Sequence, residues 1–525
     1  MMKRLLSVWL MLGVGMYAES QFYDSTLASL LPKGAGPFVF GVASGDPDTG
    51  SVVLWTKLYL EKHTEAVVHW QIATDTFMKN VIQQGELATG SDDAYSVKVR
   101  VKNLLPGTTY FYRFYYLGQA SPVGRTRTAP LHADSLRFAV VSCSHYEAGF
   151  FNAYRLICKE PELGAVIHLG DYIYERGAPP DPAHPKIRSH VPPREIITLQ
   201  DYRTRYAQYR LDADLQEVHR LHPFIATWDD HEFANNAYAA GAENHQPDEG
   251  DWNERKKIAR KAYFEWMPIM ADSGEPQVIR RFDFGGLAAL WMLDTRIEAR
   301  AAQRTDPNDP ALRSPAQTIL GRNQADWLIE GLLHSPARWK LIGNQVVFSD
   351  FSAGHVSRKY QRNLDAWDGY PADRERILDS LYANNIENVI VLTGDVHTSW
   401  AFDLARYPHQ RKTYRKQPDN RIIGAEFVAM SVTSANGDER VGKFLAKIAQ
   451  SALKNRFANP HLRYVNLTDH GYMLLELTRE YTRCTWKYVR SVRYRSDEVA
   501  RSVTWQTDYG NLRLYRIKAQ QSDNK

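Results

Sequence analysis

Three apolar runs in this chain each end on a short aspartate-bearing segment, and that arrangement limits what the chain can fold into. Ala165-Val166-Ile167 leads into Gly170-Asp171-Tyr172-Ile173-Tyr174. Phe224-Ile225-Ala226 leads into Trp228-Asp229-Asp230-His231-Glu232, and Val389-Ile390-Val391-Leu392 into Gly394-Asp395-Val396-His397. Short continuous apolar runs bounded by turn residues read as buried strands. Ligand sites of open α/β sheets gather outside the carboxyl ends of the strands. Three such ends, all offering oxygen or nitrogen donors, predict a metal cluster. A cluster of that kind implies metal-assisted hydrolysis, in the first place of a phosphate ester.

The chain has 525 residues, 44% hydrophobic and 24% charged, which allows a sizeable core and more than one domain. A formal net charge of +5 is small for this length. No nucleic-acid-binding module is evident, and an anionic small-molecule substrate is compatible with the charge. At the N-terminus, Lys3 and Arg4 precede an apolar stretch from Leu5 to Ala18, and Ala18-Glu19-Ser20 has the small-x-small form of a cleavage site. Residues 1–20 therefore read as a signal peptide, with Gln21 opening the mature chain; a short membrane anchor is the other reading. No later run reaches the ~18 apolar residues of a spanning helix, and no cysteine stands at the cleavage site. A periplasmic or secreted protein without a lipid anchor is expected, and its oligomeric state is open. Cys143, Cys158 and Cys484 are too few, and odd in number, for a disulfide scaffold. Cys143 follows Phe138-Ala139-Val140-Val141, so it is either a thiolate ligand or a small residue buried at a strand end.

Residues 38–130 read as all-β. Val52-Val53-Leu54-Trp55, residues 66–72, 96–101 and 110–116 are β-rich runs parted by Gly45-Asp46-Pro47 and Leu105-Pro106-Gly107. Such spacing predicts a β-sandwich. From 136 to 516 apolar strands alternate with amphipathic segments at 152–159, 324–333, 374–383 and 441–453. That alternation predicts a layered α/β domain. Runs 472–477 and 484–489 are spaced as a hairpin, so the sheet is expected to be mixed. Two insertions rich in Pro and charge, 176–195 and 298–316, follow strand ends and could wall the site.

Anionic oxygens held rigidly suit a hard cation. Asp171 has two oxygens with which to bridge two ions, and a Tyr174 phenolate would select a strong Lewis acid such as ferric iron. Alone, the Asp of Gly-Asp-x-x-Tyr is more often a helix cap or turn residue. Asp229 to Glu232 add four polar groups behind one strand, and Asn235 and Asn236 add neutral oxygens. Asp395 and His397 share a face in an extended segment, which suits joint ligation.

Together with Cys143, these motifs resemble the PhoD-like alkaline phosphatases of the metallophosphoesterase superfamily, over nearly the whole mature chain. Residues 40–47, Val53-Leu54-Trp55-Thr56 and 122–128 resemble the opening and close of that family's N-terminal β-sandwich. Ser142-Cys143-Ser144, 170–175, 229–236, Leu293-Asp294-Thr295-Arg296, Gly343-Asn344-Gln345-Val346 and 394–397 resemble its catalytic motifs in order. Ser431-Val432-Thr433-Ser434 with Gly437 is a looser match. The resemblance implies a layered α/β metallophosphoesterase fold with an N-terminal all-β sandwich. It implies a ferric ion with calcium ions, zinc or manganese being the alternative. Cys143 and Tyr174 would bind the iron, and Asp171 would bridge iron and calcium. Asp230, Asp395 and His397 would complete the shell, with Asp229 and Asn235 as further calcium candidates. His231 would contact the phosphate or aid the leaving group, while a metal-bound hydroxide attacks phosphorus in line. Family members often carry a twin-arginine signal; Lys3-Arg4 is not one, which suggests the general secretion route. Other readings are a phospholipase D-like enzyme acting on lipid head groups and a non-catalytic surface-binding protein.

Overall fold

All three apolar runs form strands: Ala165–His168, Pro223–Ala226 and Val389–Thr393. A computed structural model describes residues 25–60, 65–177, 186–354, 362–455 and 457–518. The expected signal peptide lies outside the described residues.

Two large mixed sheets carry these strands. The ten-stranded sheet runs, in spatial order, Asn511–Ile517, Val499–Asp508, Tyr481–Val489, Gly471–Thr478, Ser135–Val141, Ala165–His168, Pro223–Ala226, Val42–Gly45, Val52–Lys57, Ser96–Val101. The seven-stranded sheet runs Arg280–Phe284, Ala288–Met292, Trp339–Asn344, Val389–Thr393, Gly424–Val428, Ser399–Leu404, Leu462–Asn466. The central strands are parallel, with Val166 opposite Ala139 and Phe224, and Ile390 opposite Leu341 and Ala425.

Side-chain alternation explains the layering. Phe138, Val140, Ile167 and Ile225 of the first sheet pack against Leu290, Met292, Leu341, Ile390, Leu392 and Phe427 of the second. The intervening residues face outward under helices. Ala139, Val141, Val166 and Phe224 join a core with helices Asn152–Ile157, Leu199–Arg210 and Trp252–Trp266. Ala289, Trp291, Ile342 and Val391 join one with helices Gly321–His334 and Pro371–Ala383. Two sheets are thus sandwiched between helical layers, the layered α/β fold expected of the sequence.

The hairpin forms as expected, with Met473 opposite Trp486. Its first strand runs antiparallel to Ser135–Val141, and with the antiparallel pairs of the N-terminal strands this makes the sheet mixed. The helix expected over 441–453 is two helices, Gly437–Val441 and Lys443–Leu453. Gly442, at φ 84°, breaks them apart. Leu199–Arg210 has no apolar stripe in its sequence. It is buried nonetheless: Tyr202, Tyr206, Ala207 and Tyr209 enter the core, and Arg205 hands its guanidinium hydrogens to the carbonyls of Val191, Pro192 and Arg194. Thr198 and Asp201 form its capping box.

In the N-terminal region, Ala66–Ala73, Val81–Thr89, Thr109–Tyr116, Gln119–Ala120 and Gly124–Arg127 make a separate five-stranded sheet. Its inner face packs Val68, Ile72, Tyr112 and Phe114 on Leu54, Val97 and Val101. The opposing strands belong to the ten-stranded sheet, where Ser44 pairs in parallel with Pro223. The sandwich therefore shares a sheet with the α/β layers and buries Trp55, whose indole donates to Glu265 O at 3.0 Å. No helix among the described residues is long and apolar enough to cross a membrane.

Candidate metal centre

The parallel strands of both sheets deliver the residues at their carboxyl ends to one place. Cys143, Asp171, Asp395 and His397 all sit there in the left-handed region, at φ 61°, 56°, 61° and 64°. Such conformations cost non-glycine residues ~1–3 kcal/mol each and gather at functional sites. Gly170 (φ 107°) allows the closest approach: a Cβ there would stand 2.4 Å from Asp229 Cβ and 2.5 Å from its backbone nitrogen. Glu232 then ties the two loops together, accepting from Asp171 N at 3.1 Å and Asp229 N at 2.8 Å. Gln345 joins the sheets. Its amide donates to Trp228 O and Leu293 O and accepts from Thr295.

Donor atoms of Cys143, Asp171 and His397 lie within 4.8 Å of one another, as do those of Asp171, Asp230 and His231, and of Asp229, Asp230 and Asp395. Asp171 and Asp230 link the three groups. The Tyr174 hydroxyl stands 2.8 Å from Asp171 Oδ2 and 3.3 Å from His397 Nε2, and Ser434 donates to it at 2.6 Å. His397 donates from Nδ1 to Ala435 O at 2.9 Å, which turns Nε2 toward the cluster. Asn235 borders the cluster: its backbone N–H donates to Glu175 Oε1 at 2.9 Å and its side-chain amide nitrogen to Glu243 Oε2 at 3.2 Å.

The electrostatics favour a cation. Burial, reinforced by Asp230 and Asp229 against the pull of His231, drives the Asp171 carboxyl well above its usual range. Burial likewise raises Asp229, with Arg296 opposing and Asp230 and Asp395 adding to it. Asp395 is pushed up to about 6, by burial first. Burial and then Asp171 raise the Cys143 thiol and the Tyr174 phenol. Burial holds His397 at about 3, so its imidazole is neutral. Oδ2 of Asp229 is buried with no hydrogen-bond partner. Carboxylates this crowded are anionic together only beside positive charge. Arg296 supplies one such charge, 2.5 Å from Asp229 Oδ1, 3.1 Å from Asp395 Oδ1 and 2.9 Å from Asp365. The remaining donors suit metal ions: a thiol and phenol at one end, hard oxygens at the other.

Four contributors have no role in the sequence reading: Glu175, Glu232 and Arg296, which lie inside its motifs, and Asp365, which lies in none. Glu175 Oε2 sits 2.6 Å from His231 Nδ1, while its Oε1 accepts from Asn235 N and Asn244 Nδ2, both at 2.9 Å. Burial opposes charge on His231, but Glu175, then Asp171 and Asp230, lift its imidazole to about 10. The His231 and His145 rings pack against Tyr174 in tilted pairs, with centroids 4.1 Å and 4.5 Å away. Arg296 follows strand Ala288–Met292 and was within reach of the strand-end rule. Asp365 follows no strand and gives no signal. The 298–316 insertion does border the centre: Gln303 donates to Asn236 O at 3.0 Å and Asp365 Oδ1 at 2.9 Å.

Comparison with known proteins agrees with this geometry. Residues 138–486 match the family described as PhoD-like phosphatase, and residues 26–130 match the PhoD-like phosphatase N-terminal domain. Alkaline phosphatase D of Bacillus subtilis (strain 168) is 39% identical over 474 residues, covering 86% of this chain and 75% of that protein. A solved structure titled "Structure of PhoD" superposes with a TM-score of 0.82 at 33% identity, over 93% of this chain and 94% of that one. The chain belongs to the PhoD-like phosphatase family and is a metal-binding phosphoric ester hydrolase of the alkaline phosphatase type.

Proposed function

We propose that this phosphatase hydrolyses small phosphate esters outside the cytoplasm at a mixed iron and calcium centre. The observation that carries the reading is the largely buried cluster joining Cys143, Asp171, Tyr174 and His397 to Asp229, Asp230 and Asp395. Cys143, Tyr174 and Asp171 would hold ferric iron, with Asp171 shared toward calcium. Asp230, Asp395 and His397 would complete the shell, and Asp229 and Asn235 would serve calcium. Metal ions bound there would supply Lewis acidity to the phosphoryl group and acidify a water molecule.

His231 is the residue proposed to meet the ester. Glu175 fixes its Nδ1–H, which leaves Nε2 to donate a proton to the departing oxygen or to grip the phosphate. Glutamine at 231 is expected to slow hydrolysis of an alkyl phosphate roughly a hundredfold and that of a nitrophenyl phosphate far less. Equal losses on both would remove the leaving-group role. The metals are tested by elemental analysis together with the visible spectrum. The expected result is stoichiometric iron and calcium and a tyrosinate absorption band that Tyr174→Phe abolishes. A protein loaded with zinc or manganese alone, or a spectrum unchanged by Tyr174→Phe, would overturn the assignment.

A further inference from the structure

Helix Lys443–Leu453 is apolar on two sides. Ala446 and Leu453 face inward and are buried. On the outer side Phe444, Leu445 and Ile448 form one stripe at helical spacing, 76%, 55% and 51% exposed, and Val441, at the end of the preceding helix, is 53% exposed. Phe457, just beyond the helix, is 75% exposed. A stripe of this size facing water normally meets a partner.

Charge says which partner. Residues 440–458 contain no Asp or Glu, while Arg440, Lys443, Lys447 and Lys454 bracket the stripe. The basic character continues past the helix. Burial first, then the neighbouring Arg516 and Arg501, lower Lys454 from its ordinary range. An amphipathic helix with lysines beside Phe, Leu and Ile has the composition of helices that lie in a lipid interface. A protein partner would need acidic groups around an apolar ridge; an anionic bilayer offers both features everywhere and requires no shaped pocket.

Place matters as well. The helix follows the loop 431–436 that holds Tyr174 and His397, through Ser434 and Ala435. Arg440 Nη2 lies 3.3 Å from His397 Nδ1. Phe444 thus follows, four residues on, a side chain that touches His397.

We propose that Val441, Phe444, Leu445, Ile448 and Phe457, with the surrounding lysines, form a docking surface for an anionic lipid membrane. The proposal concerns binding and does not depend on which metals or esters the site uses.

The test is co-sedimentation of the full chain with vesicles of phosphatidylglycerol and phosphatidylcholine in equal parts, and with phosphatidylcholine alone. Binding is expected to the mixed vesicles, to fall with salt, and to be much weaker on phosphatidylcholine alone. The double variant F444S/I448S is expected to bind mixed vesicles at least about tenfold less, while hydrolysing a soluble phosphate ester at the parental rate. K443E/K447E, which alters no apolar packing, is expected to lose binding to the mixed vesicles as well. Equal sedimentation of parent and both variants, or no vesicle binding by the parent, would overturn the proposal. So would a parental dimer that F444S/I448S turns into a monomer, since the stripe would then be covered by a second copy.

Discussion

Asp171→Asn is expected to abolish hydrolysis of phosphate esters, with kcat/KM falling on the order of 10⁴-fold, in a protein that remains folded. The fold tolerates the change for two reasons. Asparagine matches aspartate in shape, and it is among the few residues that accept the left-handed backbone found there, at φ 56°. Function does not tolerate it. Asp171 belongs to the groups built on Cys143 and His397 and on Asp230 and His231, so it is the side chain that couples the two ends of the cluster. A neutral amide cannot serve as an anionic bridge between them. The metal-stripped proteins should behave in the opposite sense. Folding holds the Asp171 carboxyl well above its ordinary range, chiefly through burial. The folded state thus binds the proton more tightly than the unfolded state, and stability falls as pH rises through the unfolded value. The asparagine variant lacks that loss, so at neutral pH its metal-free form should melt no lower than the parent's. Steady-state kinetics and melting of the chelated proteins measure both halves. A folded variant with near-parental turnover would sink the bridging role.

The scaffold of this site could be read from the chain because each ligand segment follows a strand with a continuous apolar run of at least three residues. Strands buried on both faces carry that pattern, and Ala165–His168, Pro223–Ala226 and Val389–Thr393 are buried throughout. What the pattern does not reveal is which sheet each strand joins. Val389–Thr393 lies in a different sheet from the other two, yet its run looks the same. Nor does it reveal that Val42–Gly45, in the N-terminal region, pairs with Pro223 and Phe224; long-range pairing leaves no mark on a single sequence. Helix Leu199–Arg210 stayed hidden because its core-facing residues are mostly tyrosines and its buried arginines bond to carbonyls and a carboxylate, so no apolar stripe marks it. The site shows the same division. Ligands on strand ends were legible, whereas Asp365 and the clamp made by Glu232 depend on chain segments brought together only by folding.

Arg296→Met should produce the largest loss of stability, about 3–5 kcal/mol in the metal-stripped protein. The guanidinium is fully buried and is the only salt-bridge partner of Asp229 and Asp395 among the described residues. Asp365 keeps Arg300, so the damage concentrates on Asp229, Asp395 and the more distant Asp230, 3.8 Å from the guanidinium, the carboxylates at the proposed calcium positions. Methionine fills the space of the side-chain stem, which makes the missing charge the main difference. Removing one partner of a buried ion pair leaves the other desolvated and uncompensated. Divalent cations at Asp229, Asp230 and Asp395 would put positive charge back beside those carboxylates. The deficit should therefore shrink as calcium is added, and the variant's unfolding midpoint should rise more steeply with calcium than the parent's. Urea unfolding in chelator and across a calcium series reads this directly. Equal midpoints for parent and variant in chelator would show that Arg296 does not hold the acidic cluster together. A deficit that persists undiminished in saturating calcium would place the cations elsewhere than on Asp229 and Asp395.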